Sequence, residues 1–330
     1  MKKLLISTAL ISSVFALSSA AIAEIKISGS IEQTYKSVSH DASNATATAM
    51  KGGSALGQET NLKVSGSKDL ANGLKTSGFI NLEDSAIDQS DISIGNGTFT
   101  VTIGADTNQT IATTINPRVG DDPHTVASTG TASQIITDGI SSYSAHDVQH
   151  VGFTAKVGDG TVNLNYAPSG AGITNGDSAI GDTGAGSAVE ISYSGTIMPG
   201  LKVLLGQQTT EAADGGNDAT ERTYQVAYSQ GAFAVGYAHR TFDDKGSTTE
   251  VSKVTNVSAS FAASKDLSIS IERAEGEKDG DNDKEETTVF GIGYNLGGFA
   301  ITAQYAETKN FNTVASDDSE AFQVRTVYAF

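Results

Sequence analysis

From Glu24 onward the chain alternates with a period of two. Ile25, Ile27, Gly29, Ile31, Gln33 and Tyr35 share one face, and Lys26, Ser28, Ser30, Glu32, Thr34 and Lys36 share the other. Side chains of a strand point to opposite faces in turn, so this pattern predicts a strand with one apolar and one wet side. The same unit returns around Leu62 and Val64, and then over residues 74–82, 92–95, 98–105, 148–157, 161–167, 188–194, 201–207, 223–229, 232–241, 255–262, 267–272, 288–295, 299–306 and 321–330. With the first segment this makes about sixteen strands. The joints between them alternate in length. Short ones lie at 68–73, where Asn72-Gly73 supplies the positive φ angles of a tight turn, and at 95–97, 158–160, 198–200, 230–231, 264–266 and 296–298. Long polar ones lie at 37–59, 83–90, 106–146, 168–187, 210–220, 242–250, 274–286 and 307–319.

An even number of amphipathic strands, with short turns at one end and long loops at the other, predicts an all-β fold: a transmembrane antiparallel β-barrel. Lipid cannot hydrogen-bond backbone amides, so only a closed sheet without free edges can span it. Closure also reconciles the pattern with the composition. Only 38% of residues are hydrophobic, but each strand needs just its outward half apolar while the inward half lines water. Tyr35, Tyr228, Tyr237, Phe290, Tyr294, Phe299, Tyr305, Phe322, Tyr328 and Phe330 fall on the apolar faces or near strand ends, as interfacial girdles require.

The two ends of the chain agree with this reading. Residues 1–23 have the form of a cleaved secretory signal: Lys2 and Lys3, an apolar run from Leu4 to Leu17, and small residues ending in Ala21-Ile22-Ala23. That run is too short to span a bilayer as a helix. Residues 24–330 then form a single barrel domain. Cleavage would remove two lysines and take the formal charge from −17 to −17 − 2 = −19. Such a polyanion is no general nucleic-acid binder. Cysteine is absent, which excludes disulfides and thiolate chemistry.

One joint stands apart, the run of about forty residues from Asp106 to His146. A connection of that length in a compact fold is usually functional. With the signal, the hairpin order, the stretch 98–104 before this joint, and the terminal Val324-Arg325-Thr326-Val327-Tyr328-Ala329-Phe330, the chain resembles the general porins of Gram-negative outer membranes. The resemblance implies a sixteen-stranded homotrimer in the outer membrane, with long external loops, short periplasmic turns and the third external loop folded into the pore. It implies passive diffusion of ions and small hydrophilic solutes. It also implies that Val324, Tyr328 and Phe330 form the signal read by the barrel-assembly machinery, and that lipid and lipopolysaccharide surround the barrel. In that family the inserted loop sets acidic groups against a basic wall. The matching residues here are Asp121, Asp122 and Arg118 on the loop, and Lys26, Lys63, Lys75 and Arg325 on the wall. The chain departs from the pattern in lacking a compact arginine ladder. The excess of carboxylates predicts mild cation selectivity. The trimer contact is expected to involve Ile25, Ile27, Phe322 and Val324.

Other constellations fail on geometry. His146 and His150 are four apart, but on a strand that is about 13 Å, too far for a helical zinc pair. Asp279, Asp281 and Asp283 begin like a calcium loop, yet Lys284 stands where Gly is required and Phe290 where Glu is. No resident metal or cofactor is expected, only loose divalent binding at external loops through these residues and Asp214, Asp218 and Glu221. No nucleophile elbow or triad is present, so the chain reads as a non-enzyme. Two alternatives stay open. One is a substrate-specific channel, for which Tyr143 and Phe153 are too few to make an aromatic slide; the other is a surface adhesive β protein without a pore.

Overall fold

A computed structural model describes residues 24–41, 53–84, 86–105, 113–119, 150–168, 174–175, 178–179, 185–212, 218–244, 251–278, 283–310 and 318–330. The strands are β1 (Glu24–Asp41), β2 (Gly53–Asp69), β3 (Lys75–Glu83), β4 (Ala86–Gly95), β5 (Phe99–Ala105), β6 (His150–Val157), β7 (Gly160–Ala167), β8 (Thr174–Asn175) and β9 (Ser178–Ala179). They continue as β10 (Ala185–Met198), β11 (Leu201–Ala212), β12 (Ala219–Gln230), β13 (Phe233–Asp244), β14 (Val251–Ala262), β15 (Leu267–Lys278), β16 (Glu285–Asn295), β17 (Phe299–Lys309) and β18 (Asp318–Ala329). All but β8 and β9 form one closed antiparallel barrel of sixteen strands, each paired to its sequence neighbours. β8 and β9 make a separate two-stranded ladder within the 168–187 joint.

Closure is made by the two ends of the chain. β1 pairs with β18 from Ser30↔Ala329 to Asp41↔Asp318, and Gly29 and Phe330 exchange backbone hydrogen bonds of 2.9 and 3.0 Å. The last edge is thereby removed, as spanning a membrane demands. The Phe330 ring lies over Gly29, where a Cβ would come within 2.8 Å of it, and its centre is 6.2 Å from that of the tilted Tyr328 ring. An alanine at 29 would crowd the Asn61 carbonyl on β2 as well as the terminal ring.

The outward face is apolar and uncovered. Leu56, Ile27 and Ile92 are 82%, 67% and 70% exposed, which is unfavourable in water and natural against lipid tails. The buried residues face inward instead and are largely polar, including Asn165, Glu190, Gln208, Glu221 and Thr223. A small apolar patch, Val254, Ala274, Val289 and Ala306, covers the inside of β14 to β17. At the short-turn end, Gly73 adopts φ 78° while Gly73 N–H donates to the Leu70 carbonyl at 3.1 Å. That conformation is cheap only for a residue without a Cβ.

Two expectations about joints are corrected. Residues 83–90 are no long loop: β3 and β4 meet at Glu83↔Ala86, and the Asp84 carboxylate caps the Thr60 N–H at 2.9 Å. A register shift between Asn81 and Leu82 breaks the alternation there, which hid the start of β4. Likewise β1 and β2 run well into the expected 37–59 loop, paired as far as Val38↔Gly53. Residues 53–58 carry no legible alternation, and only the neighbouring strand makes them a strand.

Candidate pore constriction

Residues 113–119, in the joint between β5 and β6, lie inside the barrel against the inward side chains of β12 to β17. At one end the Gln225 side chain on β12 accepts from Ile115 N–H at 2.9 Å and donates to the Thr113 carbonyl at 2.8 Å. Arg240 on β13 donates to the same carbonyl at 2.8 Å. In the middle the Asn116 amide donates to Asn256 Oδ1 on β14 at 2.6 Å, and Asn256 in turn donates to the Glu272 carboxylate on β15. At the far end Val119 N–H donates to Ser270 Oγ on β15 at 2.9 Å, and Gln304 on β17 donates to the Val119 carbonyl at 2.9 Å. Buried backbone groups need partners, and Gln225, Arg240, Ser270 and Gln304 supply them, while Asn256 holds the Asn116 side chain.

Glycines let the segment approach the wall. A Cβ at Gly236 on β13 would stand 2.5 Å from Asn116 Oδ1 and 2.6 Å from Pro117 Cδ. On β16 it would stand 2.7 Å from the Val119 carbonyl at Gly291 and 2.6 Å from Val119 Cγ1 at Gly293. These three inward positions form a seat, which side chains would fill.

The facing wall lies across the barrel, on β2 to β5, which the strand order puts opposite β12 to β15. Its inward groups include Lys63, Phe79, Asn81 and Asp91. Lys63 Nζ sits 3.4 Å from the centre of the Phe79 ring. Arg325 on β18 pairs with Glu32 on β1 inside the barrel, so the seam between first and last strands carries an ion pair. Glu32 also accepts from the Thr34 hydroxyl at 3.0 Å.

A family model described as Gram-negative porin matches residues 7–312 of the chain. The chain belongs to the Gram-negative porin family. Among solved structures the porin is similar to the anion-selective porin from Comamonas acidovorans, at 14% identity and a TM-score of 0.65, covering 93% of this chain and 100% of that one. It is similar to in-vitro folded OmpT of Vibrio cholerae, at 13% identity and a TM-score of 0.64, covering 94% and 99%. It is also similar to a mutant of the Rh. blastica porin, at 14% identity and a TM-score of 0.59, covering 93% and 100%. At these identities the likeness is one of fold. A search of curated proteins by sequence returns no match. Family and closed barrel together make this an outer-membrane porin channel, which displaces the poreless adhesive reading.

The porin's charges of interest are dispersed. Lys63 and Arg325 lie midway along their strands, on the inner wall. Lys26 and Lys75 lie at the short-turn end, Lys26 beside Glu24 at 3.2 Å and Lys75 in register with Asp69. Arg118 belongs to the seated segment itself, with one guanidinium nitrogen buried. Asp121 and Asp122 lie outside the described residues, as do Asp214, Asp279 and Asp281. Glu221 is no external-loop residue: it faces inward on β12 and is 2% exposed. His150 faces inward on β6 and is buried, and His146 lies outside the described residues. Sequence reasoning missed Gln225, Arg240, Asn256, Ser270 and Gln304. They are ordinary polar residues on wet strand faces, and nothing local marks them. The inward pair Gly291 and Gly293 was the one available signal.

Proposed function

We propose that the porin is a passive diffusion channel for ions and small hydrophilic solutes, narrowed by the loop segment held across its interior. The observation that carries this reading is the fastening of residues 113–119 to β12, β13, β14, β15 and β17. A sixteen-stranded barrel otherwise leaves a wide aqueous lumen, so a segment lying inside it sets the sieve. No bond is made or broken, and solutes are sorted by width and charge. Deletion of residues 112–140 should raise single-channel conductance in a planar bilayer; unchanged conductance would remove the constriction role.

The charge filter in this proposal sets Asp121 and Asp122 on the loop against Lys63 and Arg325 on the wall. Selectivity is weakly for cations. The whole-chain charge overstates it, because Glu190, Glu221, Glu272 and Glu285 are at most 3% exposed and do not meet the water path. Salt also screens charges beyond about 8 Å at physiological strength. Reversal potentials under a salt gradient test this, and a clear anion preference overturns it. The proposal includes export by a cleaved signal at residues 1–23 and assembly through Val324, Tyr328 and Phe330. It further includes a homotrimer, contact with lipopolysaccharide, and loose divalent binding at the external loops.

A further inference from the structure

On the wall opposite the loop seat, one group of side chains departs from the barrel's own rule. Of the aromatics on β1 to β7, Tyr35, Phe99, Phe153 and Tyr166 face outward and are exposed to lipid. Phe79 faces the lumen. Register fixes this: Phe79 pairs with Ser65 on β2 and Asp91 on β4, inside the same row of inward positions, while Ile80 and Leu82 take the outward face. An aromatic ring facing a water-filled lumen gains nothing from lipid, so its place calls for another explanation.

Its neighbours supply one. The Lys63 ammonium stands 3.4 Å over the ring centre, a cation–π contact that fixes a long and otherwise mobile side chain. An ammonium has three donors, and the ring face takes up only one side of it. Asp91, in register with Phe79 on β4, lies on the other side of β3 from Lys63 and within its electrostatic reach. Asp91 packs directly against Gly104, its partner on β5, where a Cβ would stand 2.8 Å from Asp91 Cβ. The result is a cation and an anion on either side of Phe79, the cation held by its ring, both presented from one wall. The seated segment lies across the lumen from them, so a solute passing the seat passes this pair.

We propose that Lys63 and Asp91, with Phe79 as the positioning residue, form a recognition subsite for small zwitterionic solutes that carry an ammonium and a carboxylate close together, as free amino acids do. The solute carboxylate pairs with Lys63 and its ammonium with Asp91, in the reverse order of the wall. A neutral solute of equal size gains neither contact, and a simple ion gains one and is repelled by the other. This rests on the pore reading above.

The test uses the full-length barrel in liposomes, comparing the swelling rate in glycine with that in glycolamide, a neutral molecule of similar size. For wild type the rate ratio, glycine over glycolamide, should exceed that of the K63M/D91N double variant by about twofold or more, the scale of a partly exposed ion pair. K63M and D91N alone should each lower the ratio. F79L should lower it too while leaving both charges in place, which a merely structural role for the ring would not do. A ratio unchanged in K63M and D91N overturns the subsite. So does a result in which those variants only move the reversal potential in opposite directions, since that describes ordinary ion selectivity. Wild-type liposomes that swell in neither solute would instead overturn the pore reading.

Discussion

Gly236→Val tests the loop seat most directly. The six hydrogen bonds that hold residues 113–119 are worth about 1 kcal/mol net each. Ordering seven backbone residues costs about 1 kcal/mol each or somewhat more. The two sums nearly cancel, so the seat has little reserve and depends on the close fit at the glycines. A Cβ at position 236 would stand 2.5 Å from Asn116 Oδ1, about 0.9 Å inside the 3.4 Å limit of ordinary contact. The wall strand is paired on both sides and cannot yield, so the segment must. A shift of that size breaks the Asn116 to Asn256 bond and at least one of the bonds to Thr113. The loss is about 2–3 kcal/mol, a factor of roughly 30 to 150 in the seated population. Planar-bilayer recordings of G236V should therefore show a higher single-channel conductance than wild type, with more open-channel noise. Gly57→Val is the control, because a Cβ at that position meets nothing within 4 Å. It should conduct like wild type. If G236V folds to a heat-modifiable barrel with wild-type conductance and noise, the seat does not set the pore.

Other outcomes follow from the seam and the wall. Glu32→Gln leaves the Arg325 guanidinium without its carboxylate, so the reversal potential should move toward anion preference; barrel stability should fall by about 1 kcal/mol, read as a lower unfolding temperature on heated gels. An unchanged reversal potential would show that the pair does not face the water path. Phe330→Ser should lower the yield of folded barrel in membranes while the channels that do form conduct normally. Gly29→Val should also lower assembly, because its side chain meets both the Asn61 carbonyl on β2 and the Phe330 ring; normal assembly of G29V would detach the ring's seating from assembly. Asp121→Asn together with Asp122→Asn should weaken cation preference without raising conductance, again by reversal potential, and an unaltered preference would place the filter elsewhere.

The strand faces were legible because alternation is a local property. Ile25 to Tyr35 and Phe322 to Phe330 could be assigned to the outward face from spacing alone, and the exposed aromatics Tyr228, Tyr237, Phe290, Tyr294, Phe299 and Tyr328 lie where that spacing put them. Legibility failed where alternation fails. Residues 53–58 and 86–90 are strands because a partner's backbone amides are in register with theirs, and a register shift at Asn81 erased the local period. The site was readable only in outline. The length of the 106–146 joint pointed to it, but the residues that hold residues 113–119 are Gln225, Arg240, Asn256, Ser270 and Gln304, more than a hundred positions away along the chain. Glu221 was misread for the same reason. Beside Asp214 and Asp218 it looks like loop charge, whereas pairing with Gln208 puts it on a strand and turns it inward.

Period, strand number and the alternation of short and long joints are written in the sequence, because each strand must meet lipid on one side and water on the other. Those demands are enough to determine a closed barrel and its inside and outside. Which wall carries residues 113–119 was decided by tertiary structure. It depends on three glycines that leave room at β13 and β16, on four polar side chains that satisfy a buried backbone and a fifth, Asn256, that holds Asn116, and on closure by Phe330 against Gly29. Each of these brings together residues far apart in the chain, and the physical terms involved, steric room and hydrogen-bond satisfaction, exist only once the barrel has closed.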